Sequence, residues 1–508
     1  MASVRRLDAE SAPMYILSGL LAVALGWIAS TGSLPAAAVV TGLLGGIILL
    51  VQPTLLLWSV LFGGLVVSGL AMLYAPQLQL VRWAVAIASV FLVVLALVER
   101  ISQYHSQREN WGSLIAWQLI ALFGVVLLSG WANGQGATQL IIGVKSYFQV
   151  VGLFFALVMM TWPKQVIDAL PRIMLYIAFL QLPFVLHQYL YLVPRRMGYG
   201  EGVVPYDVVV GTFGASLFGG GANAVLSAFM LIVVAVLLAL WNNRAISLTR
   251  LLLFSLPLMT PIFVNESKVS ILYLLIIVLI IFKNEIMLRP LRAILSGALL
   301  AVLLTGLMVA YSAYYADQAD GADDLISGTI QQNFSSDQGH GGFYLNRWST
   351  LTFWIQEHSA REPIHALIGH GPRASREGGD GLDAGGTLAS RRYPGMGIGL
   401  TGVSAVLWEA GLLGLIAVGG MFVVAFQSAG ALRRRFIDDP YRSGLFSGLQ
   451  AGVVILMLSM FHKSFFVFDI GYQTILMLLF GFLAYYTERS MRDTEQRVRI
   501  PSRQFSGR

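Results

Sequence analysis

The stretch Gly342-Phe343-Tyr344-Leu345-Asn346-Arg347-Trp348 opens the one long polar interruption of an otherwise apolar chain. The interruption continues through Glu362-Pro363-Ile364 and Gly369-His370-Gly371, and it closes on Glu409-Ala410-Gly411-Leu412-Leu413-Gly414, inside the next apolar segment. Long loops that mix charged, aromatic and histidine side chains are uncommon and tend to carry function. We therefore expect the other functional residues to lie on the same side of the membrane as this loop.

The composition of the chain excludes a soluble protein. The 508 residues are 56% hydrophobic and 12% charged, with a mean hydropathy of +0.72. Continuously apolar runs of this length predict membrane-spanning α-helices, whereas the strands of a membrane barrel alternate between apolar and polar residues. Because the chain has no cysteine, disulfides and thiolate chemistry are excluded.

The apolar segments predict about 14 spans, centred near residues 22, 43, 63, 89, 123, 155, 182, 231, 257, 276, 301, 413, 454 and 477. The first segment is interpreted as a retained span and not as a cleaved signal. The predicted organisation is eleven spans in residues 1–312, an extracytoplasmic catalytic loop with a surface helix in 313–397, three spans in 398–486 and a basic cytoplasmic tail in 487–508.

The distribution of basic residues predicts the orientation. The N-terminal tail, every second connection and the C-terminal tail together hold 21 of the 33 lysines and arginines, which places both termini in the cytoplasm and the long loop outside. A few cations lie at outer helix ends against this rule, and a shared anionic ligand would explain them. These residues are Lys145, Arg195, Arg196, Lys268, His462 and Lys463.

Two parts of the loop carry further predictions. Residues 347–356 have helical spacing that predicts a helix on the membrane surface, with one face formed by Arg347, Leu351, Trp354 and Ile355. The alternative is that Arg347 only snorkels or pairs with Glu357. The glycine-rich residues 377–386 predict a segment that is mobile without ligand. No metal and no cofactor are expected, because the acidic group Asp317, Asp320, Asp323 and Asp324 lacks EF-hand spacing.

Several motifs in residues 190–420 together resemble the O-antigen ligase and polymerase superfamily. The resemblance lies in Arg347 with Trp354, in the Glu362-Pro363-Ile364 and Gly369-His370-Gly371 turn, and in the Glu409 to Gly414 helix start. Gly211-Thr212-Phe213-Gly214 with Gly221-Ala222-Asn223-Ala224, and the turn Ser267-Lys268, are similar to further motifs of that family. Where many members carry a His-Asn pair, this chain has Leu400 and Thr401.

The resemblance implies an all-α, GT-C-like glycosyltransferase of a bacterial inner membrane, with its active site facing the periplasm. Its donor would be a glycan on polyprenyl (undecaprenyl) diphosphate, and its acceptor a second glycan. Further expected partners are membrane lipid and chain-length regulators or export proteins, but not nucleic acid. Arg195 or Arg196, Lys268 and Arg347 would bind the diphosphate, and His370, His340 or Glu409 would deprotonate the acceptor. Alternatively, His370 only shapes its turn, His340 is solvated and Glu409 pairs with a buried cation.

We therefore predict a polysaccharide polymerase that joins lipid-linked repeat units. The alternative within the class is an O-antigen ligase that transfers finished glycan to lipid A core. The rival from another class is a transporter or flippase of lipid-linked glycan. A transporter would carry polar or broken helices near the middle of the membrane, whereas the predicted cations gather at outer helix ends.

Overall fold

Continuously apolar runs fold as long helices throughout the part of the chain that the structure describes. This structure is a computed structural model. It describes residues 51–78, 80–103, 113–198, 205–216, 220–265, 269–288, 343–358, 362–377 and 386–499, with Val23, Gly26, Gly46, Ser267 and Gly339. All named elements in these ranges are helices. The chain divides into two compact units, residues 1–59 and 60–508.

The helices before the long loop are α1 Pro53–Tyr74, α2 Val81–Gln103, α3 Leu114–Ala132, α4 Ala137–Tyr147, α5 Val151–Met159, α6 Lys164–Met197, α7 Asn223–Asn242, α8 Leu248–Val264, α9 Val269–Ile281 and α10 Lys283–Leu288. The loop contributes α11 Ser349–His358, α12 Pro363–Ile368 and α13 Leu388–Arg392. The last helices are α14 Gly402–Arg435, α15 Pro440–Ser459, α16 Phe465–Phe468 and α17 Ile470–Arg499.

Eight described helices are long and apolar enough to cross a membrane, or nine if α4 and α5, which meet at 61°, form one broken span. The eight match the segments predicted near residues 63, 89, 123, 182, 231, 413, 454 and 477. The broken pair lies near 155, and the segments near 257 and 276 are the shorter helices α8 and α9. The segments predicted near 22, 43 and 301 fall outside the described residues. The all-α, multi-pass prediction is confirmed at this level.

Helix α7 is buried in the bundle. Glycines on α15 let the backbone of that helix approach α7 closely. Sixteen of its twenty residues are buried. Gly444, Gly448 and Gly452 of α15 face Leu240, Val236 and Ile232 of α7, and a Cβ on Gly448 would collide with the backbone of Val236. Glycines four residues apart form a groove of this kind, which allows close van der Waals packing between membrane helices.

The outer surface of the bundle keeps an apolar face. Exposed apolar side chains recur along α2 at steps of three and four residues, which places them on one side of the helix. These residues are Ile87, Val90, Val94, Val98 and Ile101. A continuous exposed apolar stripe fits a surface in contact with lipid.

The helix predicted over residues 347–356 is shifted by two residues along the chain. It begins at Ser349, because the Asn346 side chain accepts hydrogen bonds from the amides of Trp348 and Ser349 and ends the preceding turn. Arg347 therefore precedes the helix. The predicted single face is also wrong, because Trp354 is 7% exposed whereas Ile355 is 56% exposed. Trp354 faces the protein, where its ring stacks on His358.

The predicted topology can be tested by thiol labelling, since the chain has no native cysteine. Tyr344→Cys, in the loop, and Ile437→Cys, between α14 and α15, replace side chains that are 76% and 70% exposed. If basic residues mark the cytoplasmic side, an impermeant reagent should label the two cysteines from opposite sides of intact cells and inverted vesicles. Labelling of both from one side would contradict the topology.

Candidate active site

The Gly211-Thr212-Phe213-Gly214 motif lies in a loop that is buried among helices. Its backbone polar groups are satisfied by two glutamines of α6, since unpaired groups at this depth would be costly. Gln188 Oε1 accepts from the amides of Val210 at 2.9 Å and Gly211 at 2.7 Å, and its amide donates to Gly211 O at 2.6 Å. Gln181 Oε1 accepts from the Thr212 amide at 2.7 Å. These hydrogen bonds fix the conformation of the loop, which precedes α7 in the chain.

The Glu409 to Gly414 motif breaks helix α14. Gly411 adopts φ 65°, which glycine tolerates far better than other residues, and the break frees the carbonyls of the preceding turn. The amide of His370 donates to Trp408 O at 2.8 Å, and the amide of Gly371 donates to Glu409 O at 3.1 Å. Ser129 Oγ of α3 also donates to Glu409 O at 2.8 Å. The Gly369-His370-Gly371 turn therefore completes the hydrogen bonding of the broken helix.

Glu409 holds the segment that follows this turn. Its carboxylate is 1% exposed and accepts a hydrogen bond from Ser375 Oγ at 2.6 Å. It also accepts from the backbone amides of Arg373 and Ser375, and Arg373 has a left-handed conformation with φ 69°. These contacts stabilise a strained turn, and the strain is compensated locally by the buried carboxylate.

A cavity of about 660 Å³ opens where this turn, the buried loop and several helix ends meet. Four cationic side chains line it, from Arg82, Arg196, Arg376 and Lys463, together with the carboxylates of Asp207, Glu377 and Asp469. Its walls include Gly220, Gly221 and Ala222, which immediately precede α7, and Leu400 before α14. The helix ends that lie beside residues 343–400 are called the loop face below. They converge on one polar cavity inside an apolar bundle.

Lys463 and Arg347 place two positive charges at one side of the cavity. Arg347 Nε donates to the carbonyl oxygen of His462 at 2.7 Å, which puts the guanidinium beside Lys463. Burial lowers the pKa of Arg347 to about 10, partly offset by Tyr273 and Asp207, so the guanidinium is protonated at neutral pH. Burial also lowers the pKa of Lys463, while Asp207 raises it. Asp207 therefore interacts electrostatically with both cations.

The three carboxylates of the cavity differ in their hydrogen-bond partners. Glu377 accepts from the amides of Gly395 at 3.2 Å and Gly397 at 2.9 Å, so it holds the loop. Asp207 Oδ1 accepts from Asn223 Nδ2 at 3.0 Å. Burial raises the pKa of Asp469 to about 6, although its Oδ1 accepts from the Tyr472 amide and Arg82 lies nearby. A carboxylate that titrates near pH 6 can serve as a general base at neutral pH.

The predicted site residues are brought together only in part. Arg196 is 1% exposed and lines the cavity, whereas its neighbour Arg195 is exposed and does not line it. Lys463, one of the predicted outer cations, lines the cavity as well. Arg347 contacts the residue next to Lys463 but is not itself among the lining residues. Lys268, His340 and residues 378–385 of the predicted mobile segment lie outside the described residues.

His370 and Glu409, predicted as catalytic residues, are not among the residues that line this cavity. His370 Nε2 lies 3.0 Å from His358 Nε2, and its ring stacks on Trp408. Burial lowers the pKa of His370 to about 3, and the neighbouring His365 and His358 add to this effect, so the ring is neutral at pH 7.

Sequence reasoning missed Arg82, Arg376 and Asp469. The available signal was their position: Arg82 and Asp469 lie at the loop-face ends of α2 and α17, and Arg376 follows the glycine turn by five residues. Leu400 and Thr401, which precede helix α14 in the sequence, also have definite positions. Leu400 lines the cavity, and Thr401 caps α14 through a reciprocal pair of hydrogen bonds with Ser404.

No family model matches the chain, and no curated protein matches its sequence.

The helix break can be tested with two glycines of α14. Gly411→Ala forces a Cβ into the backbone of Leu367 and Ile368 at positive φ, and we expect it to destabilise the protein by about 2 kcal/mol. Gly419→Ala is the control, because a Cβ there meets nothing within 4 Å. Thermal unfolding in detergent should show a lower Tm for Gly411→Ala alone. Equal Tm values for both variants would contradict a structural role for the break.

Proposed function

We propose that the protein is a membrane glycosyltransferase that transfers a polyprenyl-diphosphate-linked glycan to the hydroxyl of another lipid-linked glycan. The observation that carries the proposal is the cavity at the loop face, where an apolar helix bundle surrounds four cationic and three acidic side chains. A lipid-borne anion fits this combination, because its tail can remain in the membrane while its diphosphate reaches arginine and lysine donors.

The leaving diphosphate would be stabilised by Arg82, Arg196, Arg376 and Lys463, with Arg347 adding charge beside Lys463. The start of α7 contributes in the same direction, since a helix N-terminus carries partial positive charge. Donors fixed by a folded cavity need little reorganisation as negative charge develops on the leaving group. These side-chain donors would stabilise the diphosphate as it leaves.

Asp469 is the base that we propose for the acceptor. The acceptor hydroxyl oxygen forms a bond to the anomeric carbon, while the bond from that carbon to the diphosphate oxygen breaks and its electron pair leaves with the diphosphate. The hydroxyl proton passes to Asp469, which lines the cavity and whose pKa is raised by burial to about 6. Glu409 and Glu377 act as positioning residues for the turn that carries Ser375 and Arg376.

Within this class we favour a polymerase of repeat units in a bacterial inner membrane over an O-antigen ligase, with the cavity facing the periplasm. The positive-inside orientation and the resemblance of the loop motifs support the location. Deletion of the gene in its native host separates the two activities. Loss of surface polymer with retained single repeat units is expected for a polymerase, whereas polymer left on its lipid carrier indicates a ligase.

A transporter of lipid-linked glycan is the second candidate, and a specific observation favours it. Helices α4 and α5 meet at 61° and α14 is broken at Gly411, and broken helices are frequent at transport sites. The freed carbonyls of α14 are, however, occupied by protein donors. Purified protein in liposomes with lipid-linked repeat units should form longer glycan. Movement of the substrate between leaflets without a longer product would favour the transporter.

Two adjacent arginines provide a matched test of the cationic cavity. Arg196→Ala removes a buried donor of the cavity wall, and we expect glycan transfer to fall about a hundredfold, as for the loss of a transition-state donor. Arg195→Ala removes the same charge from an exposed neighbour and should leave the rate within about twofold. Initial rates in liposomes, at matched amounts of folded protein, measure both. Equal losses in the two variants would point to a diffuse surface effect.

Arg347 tests the charge beside Lys463. Arg347→Ala should lower transfer by about tenfold, because this charge is lost, and Arg347→Lys should restore part of it, because lysine keeps the charge but not the guanidinium hydrogen bond to His462 O. Arg391→Ala is the control, since this exposed arginine lies in the same loop but does not line the cavity. Thermal unfolding distinguishes a folding defect from a lost donor. Near-normal transfer by a stable Arg347→Ala protein would remove Arg347 from the mechanism.

A further inference from the structure

The loop contains a second group of chemically competent side chains, separate from the cavity. His358 ends α11, Glu362 precedes α12, and His370 follows α12 in the glycine turn. One ligand atom from each of these three residues, called the histidine cluster below, lies within 4.8 Å of the other two. The distance between His358 Nε2 and His370 Nε2 is 3.0 Å, and that between Glu362 Oε2 and His370 Nε2 is 3.4 Å.

The hydrogen bonding of His358 fixes which ring nitrogen faces the cluster as a ligand. Its Nδ1 lies 2.9 Å from the carbonyl oxygen of Trp354, and a carbonyl oxygen can only accept, so Nδ1 carries the hydrogen. In a neutral imidazole Nε2 then holds a lone pair, which accepts a hydrogen bond from His370 Nε2 at 3.0 Å. Metal binding would release that proton from His370 Nε2 and use both Nε2 lone pairs. Metal-binding histidines usually donate their other ring N–H to a carbonyl or carboxylate in this way.

Glu362 is oriented by a comparable outer contact. Its Oε1 accepts from Arg392 Nη1 at 2.8 Å, which leaves Oε2 directed at His370 and, at 3.2 Å, at His365 Nδ1. A ligating carboxylate is commonly held by a hydrogen bond to its second oxygen. The guanidinium also keeps the carboxylate ionised, as a metal ligand must be.

The surroundings hold the two imidazole rings and leave one side open. His358 stacks on Trp354 with ring centroids 4.8 Å apart, and His370 stacks on Trp408 at 5.7 Å. His358 is 2% exposed, whereas the side chains of His370 and Glu362 are 8% and 25% exposed. The rigid aromatic wall would preserve the ligand geometry, and the exposed side would admit water as a further ligand.

We propose that His358, Glu362 and His370 bind one divalent transition-metal ion of the zinc class. Two imidazoles and one carboxylate are a ligand set that zinc uses with an open fourth position, whereas calcium and magnesium prefer oxygen ligands alone. The ion would tie the end of α11 to the turn that completes broken helix α14. This site differs from the expectation of no metal, and it does not depend on the proposed transfer reaction.

The test uses the full chain with an affinity tag that contains no histidine. The protein is purified in detergent, treated with a chelator and titrated with Zn²⁺ in competition with a chromophoric chelator. One tightly bound ion per chain is expected, and Co²⁺ in its place should give the strong visible absorption of a low-coordinate site. Failure to bind one ion per chain would overturn the proposal.

Matched variants locate the ion. His358→Gln, Glu362→Gln and His370→Gln should each weaken Zn²⁺ binding at least tenfold, whereas His187→Gln, a histidine paired with Tyr74 elsewhere in the bundle, should bind as wild type does. Unchanged binding in the three cluster variants would overturn the assignment. If these variants do not fold, X-ray absorption by zinc bound to the wild-type protein decides. Two imidazole ligands are expected, and none or one would overturn the proposal.

Discussion

The hydrogen bonds between the glycine turn and the broken helix α14 are the interaction on which the rest of the site depends. A helix that breaks inside an apolar bundle loses several backbone bonds, and each unpaired group would be costly where water is excluded. Here the amides of His370 and Gly371 take the place of the missing helical amides. Because one turn supplies both, the polar loop is attached to the bundle at a defined depth and angle.

The need to satisfy buried backbone groups also explains the structure of a second part of the cavity wall. The loop that contains Gly211 and Thr212 is buried without regular structure, and Gln181 and Gln188 occupy its polar groups. Glutamine suits this purpose because its amide both donates and accepts. Irregular backbone is tolerated at such depth where it is enclosed by protein or faces a polar cavity. In these two irregular segments, specific polar partners thus satisfy the buried backbone groups.

Cations and carboxylates from distant parts of the chain meet because these segments end at one face. Arg82, Arg196 and Lys463 lie at the ends of different helices, and Arg376 is carried by the turn that Glu409 holds. The cavity therefore combines several donors with a buried carboxylate, Asp469, beside them. An acidic group and cations in one cavity fit the proposed reaction, in which an anion leaves and a hydroxyl loses its proton.

The sequence by itself determined that the chain is an all-α, multi-pass membrane protein, because the length of an apolar run directly reflects the thickness of the bilayer. It also pointed to the Arg195-Arg196 pair, Lys463 and the glycine turn, because charge against the orientation rule and glycine between apolar segments are local signals. It could not separate Arg196 from Arg195, or find Arg376 and Asp469. Only the tertiary structure decided this, because the burial of a side chain depends on which helix ends meet and not on its neighbours in the chain. The break at Gly411 likewise became visible only in the structure, together with the turn whose amides bond to the freed carbonyls.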